Sequence, residues 1–403
     1  MTPLLSFDDA LTQLLEAATP LTGHETVALA VADGRVLATD LAAPLDVPGF
    51  DNSAMDGYAL HLSDFTTLPA RLPVTQRIAA GAVGTPLSVG EAARIFTGAP
   101  VPPGTNAVVP QEEAVAGDGW VELQASVRPG QHIRLRGNDI ALGDRLVSAG
   151  TRLTPQHLAL LASVGIAEVM VRPRLRVGVL FTGDELVLPG EPLPPGAIYN
   201  ANRFSLLALL ERLGCTVSDY GNIADDPGAT EVALAQAAAE NDVVMTSGGV
   251  SVGEEDHVKA VVERLGQLDL WRIAIKPGKP LAFGRIGQAA FLGLPGNPVS
   301  TFLTFCLLAR PFLLKSQGAQ PAAPRRLSLP AAFSWPQPDK RREFLRGRLE
   351  MGTDGMLQVT IHSNQGSAVM SALCWADGLV DLTPGRTVRP GERVDFLPLE
   401  NLL

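Results

Sequence analysis

The chain has 403 residues, 46% of them hydrophobic and 18% charged, which is an ordinary globular composition with enough length for roughly two to four domains. A net charge of −10 leaves no basic excess to meet a nucleic-acid backbone, so small molecules and proteins are the expected partners. Cys215, Cys306 and Cys374 lie far apart in no metal-ligand spacing, so neither a disulfide framework nor a zinc site is indicated.

Ser6 followed by Phe7, Leu11, Leu14, Leu15 and Ala18 predicts a capped amphipathic helix, with Asp9 in the box position. The early acids and the absence of a basic leader with a cleavage site predict a cytoplasmic rather than a secreted chain. A second helix is expected from Glu25 to Val31. The Pro- and Gly-rich crossing APLDVPGFDNSAMDGYAL then leads into a short strand at Gly57 to Leu60. Asp51, Asn52, Ser53 and Asp56 in that crossing are equally well explained as turn residues or as ligand-facing groups.

From about Leu72 to Arg136, short β segments are punctuated by turn residues, the signature of a small β domain. Thr97, in the loop FTGAPVPPGTN, is a turn former or a hydroxyl facing a ligand. Thr154 and Pro155 form an N-cap and N1 pair that starts a helix over Leu153 to Leu161. The predicted layout is a discontinuous N-terminal domain (1–45 plus 142–173), an inserted small β domain (46–141), a central α/β domain (174–325) and a C-terminal β domain (326–403).

After Arg174 buried strands alternate with amphipathic helices, which implies a mostly parallel sheet covered on both faces. Ligands of such sheets bind beyond the carboxyl ends of the strands, a rule that gathers Asp184, Glu185, Asp225, Asp226, the Ser247–Gly248–Gly249 turn and Asp256 on one edge. The glycine pair lets backbone N–H groups approach an anion. Glu254, Glu255 and Asp256 follow directly, and carboxylates beside a phosphate site imply a bridging hard cation. No GxxxxGK[ST] run and no GxGxxG opening a helix is present, which argues against ordinary NTPase and dinucleotide sites.

Lys276 and Lys279 in KPGKP are compact cations on a stiffened backbone, suited to an oxyanion, with solvated loop charges as the lesser alternative. The rigid turn Pro295–Pro298 precedes a helix whose start, with Ser300, adds anion-binding dipoles. Its apolar run, Val299 to Ala309, is too short to cross a bilayer and predicts a buried helix without a membrane span.

The segments DNSAMDGYA, FTGAPVPPGTNAVVPQE, TGDEL, YNAN, DDP, SGGVSVGEEDH, KPGKPLAFG and LPGNPVS, in this order and spacing, closely resemble the molybdopterin molybdenumtransferase family, which is related to the E domain of gephyrin. The resemblance runs from the first helix to the end of the chain. It implies a four-part homodimeric subunit with a molybdopterin-binding α/β domain. The implied activity is insertion of molybdenum from molybdate into adenylylated molybdopterin, with Mg2+-dependent release of AMP. A molybdopterin adenylyltransferase is the implied protein partner.

The family's functional positions fall on Asp56, Thr97, Glu185, Asp225, Asp256, Pro295 and Pro298, with Glu185, Asp225 and Asp256 as magnesium ligands. Ser247, Gly248, Gly249, Lys276, Lys279 and Ser300 are the expected substrate contacts, and by resemblance Arg346 and Ser367 close the pocket from the C-terminal domain. His257 stands where the family often has an aromatic residue, and CWADG near the C-terminus is looser than the usual pattern. Two rival functions follow from related chains: a molybdopterin adenylyltransferase, which would not need the domains around Asp56 and Arg346, and a non-catalytic scaffold, for which no long linker is present.

Overall fold

A computed structural model describes the whole chain except residues 1–3, 65–67, 125–127, 250–256, 279 and 321. The first helix, Phe7–Ala17, is capped by Ser6, whose side chain accepts from the Asp9 amide and donates to the Asp9 carboxylate. Phe7, Ala10 and Leu14 make its buried face.

The helix expected at Glu25 to Val31 is instead a strand, Glu25–Ala28, followed by a single 3-10 turn, Leu29–Val31. Seven residues are too few to hold an isolated helix, and the β-branched pair Thr26 and Val27 gains a ladder with Val169 and Met170. That antiparallel ladder, Glu25–Ala28 against Glu168–Val171, joins stretches of chain separated by more than a hundred residues.

Between them lies a six-stranded sheet, in the order Ala107–Pro110, Gly57–Leu60, Ala92–Ile95, Ala70–Ile78, Trp120–Leu123, Ala114–Gly117.

The central sheet carries four parallel strands, Thr216–Ile223, Arg176–Thr182, Val243–Ser247 and Ala289–Leu294, extended by the antiparallel pair Pro280–Ile286 and Gly266–Arg272. The period of two sorts its side chains to opposite faces. Val179, Phe181, Val243 and Met245 pack in one core with Leu14, Leu210, Phe312 and Phe344. Leu180 and Val244 point the other way, to Leu234, Val258 and Val262. Both faces are dry, as the uninterrupted apolar runs require.

The helix after Pro298 continues to Ser316 rather than stopping at Ala309. Phe305–Ala309 forms a π turn directly ahead of Pro311, a place where the i→i−4 ladder has to accommodate a residue without an N–H. At 19 residues it is, among the described residues, the one helix long and apolar enough to cross a membrane, and most of it is buried inside the protein.

The C-terminal sheet runs Ile275–Lys276, Arg342–Met351, Gly378–Leu382, Arg393–Pro398, Leu327–Pro330, with Leu357–Ile361 paired to the second of these strands. Its first strand comes from the α/β part of the chain.

Cys215 and Cys306 are buried, and desolvation pushes both thiols up to about 12, whereas Cys374 is exposed. A thiol reagent at pH 8 is therefore expected to titrate one thiol in the folded protein and all three after unfolding. Rapid labelling of a second thiol in the native state would contradict this packing.

Candidate active site

The carboxyl ends of the parallel strands open into a cavity of about 900 Å3. Thr182, Gly183 and Glu185 come from the turn after the first parallel strand in chain order, and Asp225 from the turn after the second. Ser247, Gly248 and Gly249 follow the third, and Pro295, Gly296, Asn297, Pro298 and Ser300 the fourth. Facing them are Lys276, Pro277 and Gly278, together with Arg341 and the stretch Gln365–Ala368 of the C-terminal domain. The strand-end turns and the lysine segment thus share one cavity.

The glycine pair is required by this geometry. Gly248 and Gly249 have φ of +94° and +65°, and a Cβ on Gly249 would sit 2.5 Å from Val258 Cγ2 and 2.8 Å from Thr182 Oγ1. The two turns are tied by Asn202, whose Nδ2 donates to Ser247 Oγ at 2.8 Å and to the Gly296 carbonyl at 2.7 Å. Ser247 Oγ in turn donates to the Pro295 carbonyl at 3.2 Å. The amide of Val299 donates to the Ser367 carbonyl at 2.9 Å, so the far wall is pinned to the start of the helix.

Glu185 and Asp225 reach the cavity as oxygen donors, and the Asp225 amide donates to Asp184 Oδ1 at 3.0 Å, which fixes its turn. Among the described residues no group of three or more His, Cys, Asp or Glu side chains gathers to hold a metal ion. Two carboxylates in one cavity nonetheless suit magnesium, which takes one or two carboxylates plus substrate oxygens rather than an all-protein cage. Asp256 and Lys279, with Glu254 and Glu255, lie outside the described residues.

Three other expected residues are elsewhere. Asp56 and Thr97 form a unit on the inserted sheet domain. Asp56 Oδ1 accepts from the Thr97 amide at 2.8 Å and from Thr97 Oγ1 at 2.9 Å, and these bonds hold its carboxyl below the usual range. Neither residue lines the cavity within one chain.

Arg346 was expected on the pocket wall; it is fully buried behind it. Its guanidinium donates to the carbonyls of Phe344 and Gly366, both at 3.2 Å, and desolvation lowers it to about 10. The physical reason is that both faces of this strand are covered, Phe344 packing in one core and Leu345 in another, so Arg346 is enclosed and supports the Gln365–Gly366 turn while Ser367 meets the cavity. Gln365 closes the arrangement, accepting from the Arg346 amide at 2.8 Å and donating to its carbonyl at 3.1 Å.

Asn202 and Arg341 are cavity residues without an individual sequence assignment. Asn202 belongs to the YNAN segment, whose polar residues at a helix start were its only signal. Arg341 sits in the run DKRREF, where nothing distinguishes it from solvated charge. Asn202→Ala removes two hydrogen bonds at once and is expected to cost about 1–3 kcal/mol in urea unfolding. Asn202→Asp, which keeps acceptors but loses the donors, is expected to cost at least as much; a neutral result for both would remove its tying role.

Comparisons with known proteins match the chain along its length. Residues 5–165 match the MoeA N-terminal region (domain I and II), 178–315 the probable molybdopterin binding domain, and 328–399 the MoeA C-terminal region (domain IV). A molybdopterin molybdenumtransferase from Haemophilus influenzae is 42% identical, covering 99% of this chain and all of its own length. Molybdopterin molybdenumtransferase 2 of Mycobacterium tuberculosis is 36% identical, with 92% of each chain covered. The solved molybdopterin biosynthesis MoeA protein of Pyrococcus horikoshii superposes with a TM-score of 0.84 at 29% identity, covering 98% of this chain and 100% of that one.

Proposed function

The chain belongs to the molybdopterin molybdenumtransferase family, and from that premise we propose that it inserts molybdenum from molybdate into adenylylated molybdopterin in the interdomain cavity, releasing AMP. It is a transferase of molybdenum cofactor biosynthesis. The observation that carries the finer reading is the cavity itself, in which anion-binding turns, two carboxylates and Lys276 face one another.

The glycine turn offers backbone N–H groups to phosphate oxygens, and the helix start after Pro298 adds its dipole. Lys276 supplies a point charge and Ser300 a hydroxyl for a tetrahedral dianion. Glu185 and Asp225 would hold a magnesium ion, with Asp256 expected as a further ligand. When bound, that ion stabilises charge developing on the departing AMP phosphate. Lys279, expected beside Lys276 in KPGKP, would add a second oxyanion contact. Arg346 would act from behind the wall, by fixing the turn that presents Ser367. Pro295 and Pro298 keep the intervening turn in one shape, so the donors need no rearrangement to meet the ligand.

Asp56 and Thr97 require a second copy of the chain if they are to reach this cavity, which favours a homodimer with shared sites. The expected setting is the cytoplasm, with the adenylyltransferase that makes the substrate as a protein partner. An adenylyltransferase or a scaffold is a poorer reading, because the family match extends through both outer regions and the cavity retains its charged set.

Asp225→Asn is expected to slow magnesium-dependent AMP release at least about tenfold while keeping the fold; unchanged release in a magnesium titration would refute its role. Mixing inactive Asp56→Asn and Asp225→Asn proteins, after dissociation and reassociation, should restore about a quarter of the wild-type sites. No recovery from reassociated mixed dimers would contradict sharing between subunits.

A further inference from the structure

Lys276 and Arg341, the cations of the cavity wall among the described residues, do not face it as bare charges. Lys276 Nζ lies 2.9 Å from Glu343 Oε1 and 3.4 Å from Asp339 Oδ2. Arg341 donates to the two oxygens of Asp339 through Nε and Nη2, at 3.0 and 2.8 Å. Glu343 is only 2% exposed, and its other oxygen accepts from Trp335 Nε1 at 2.9 Å. Both its oxygens are therefore engaged, one of them by a cation that lines the cavity. The formal charges of Lys276, Arg341, Asp339 and Glu343 sum to zero.

A wall built only to attract an anion has no use for a carboxylate directly behind its lysine. Stability does not account for it either. Burying a carboxylate costs several kcal/mol, and replacing a buried ion pair by apolar side chains is often neutral or stabilising. What the buried carboxylate does achieve is a fixed direction and a reduced charge for a flexible lysine, whose own side chain is 41% exposed.

We propose that Glu343 is a positioning residue for the oxyanion: it holds the Lys276 ammonium against the cavity wall and offsets its charge, so that the dianion is oriented yet bound weakly enough to be passed on. The inference rests on the reading that Lys276 faces molybdate. It assigns to the C-terminal domain a share in setting oxyanion affinity, through a side chain that touches neither substrate. Asp339 remains as a second hold on Lys276 when Glu343 is neutralised, so Glu343→Gln raises the local charge without releasing the lysine.

The test is calorimetric titration of the full-length protein with molybdate at fixed ionic strength, for the wild type, Glu343→Gln, Lys276→Ala and the double variant. Glu343→Gln keeps an acceptor for Trp335 and is expected to tighten molybdate binding about three- to tenfold. In the Lys276→Ala background the same change is expected to have a much smaller effect, because the ammonium whose charge Glu343 offsets is gone. Weaker or unchanged binding in Glu343→Gln, or equal tightening without Lys276, would overturn the proposal. Lys276→Ala alone is expected to weaken molybdate binding. If it leaves the affinity at the wild-type value, the oxyanion assignment fails first and the proposal falls with it.

Trp335→Phe separates charge from packing, because it removes a hydrogen bond from Glu343 and keeps the carboxylate. Molybdate affinity within about twofold of wild type supports the charge account. Tightening as large as that of Glu343→Gln would mark a loosened domain contact and overturn it.

Discussion

The site depends on a two-residue parallel ladder. Ile275 and Lys276 leave the α/β part of the chain and pair with Arg342 and Glu343, which makes them the edge strand of the C-terminal sheet. Arg342 completes the junction. Its guanidinium reaches Asp381 at 2.7 and 2.8 Å on one side and Asp8 of the first helix at 2.8 Å on another, while lying over the rings of Phe7 and Phe344. One arginine thus connects the N-terminal helix, the edge strand and the C-terminal sheet. This contact and the Val299–Ser367 hydrogen bond together hold residues 365–368 opposite the ends of the parallel strands.

That docking turns a general property of parallel sheets into a particular chemistry. Any such sheet presents free amides, turns and helix starts at its carboxyl edge, and phosphates bind there for electrostatic reasons alone. Here the edge also carries Glu185 and Asp225, which by themselves would repel a phosphate, and a facing wall with Lys276 and Arg341. Opposed charges held apart in one cavity are what a reaction between two anions needs. On the proposed reading Lys276, its charge offset by Glu343 and Asp339, meets one anion, and Glu185 and Asp225 would hold the cation that lets the other approach. Asn202 keeps the strand-end turns in register with one another.

Much of this was legible in the sequence because it is local. The Ser6 cap, the alternating strands and helices after Arg174 and the glycine pair each announce themselves within a few residues, and the strand-end rule then gathers Glu185, Asp225 and Ser247 on one edge. The strand at Glu25–Ala28 was misread because its partner is Glu168–Val171, and no local pattern reveals a ladder of that span. Arg346 carries the resemblance of a binding residue, yet it is enclosed because both faces of Arg342–Met351 are covered there, which a motif does not encode. Asn202 acts through tertiary partners, Ser247 and Gly296, and Arg341, paired locally with Asp339, reaches the cavity only because the C-terminal sheet docks there, so their types alone gave no reason to select them. The helix from Pro298 outran its expected end because a π turn accommodates Pro311, a compensation invisible in hydropathy.

The central claim is that both walls of the cavity hold the ligands at once. Hydrogen exchange of the full-length protein, followed by mass spectrometry with and without adenylylated molybdopterin and molybdate together, addresses it directly. The account predicts slowed exchange in the turns after Val243–Ser247 and Ala289–Leu294 and, in the same experiment, across residues 362–368. Protection confined to the strand-end turns, with residues 362–368 exchanging as in the free protein, would contradict it.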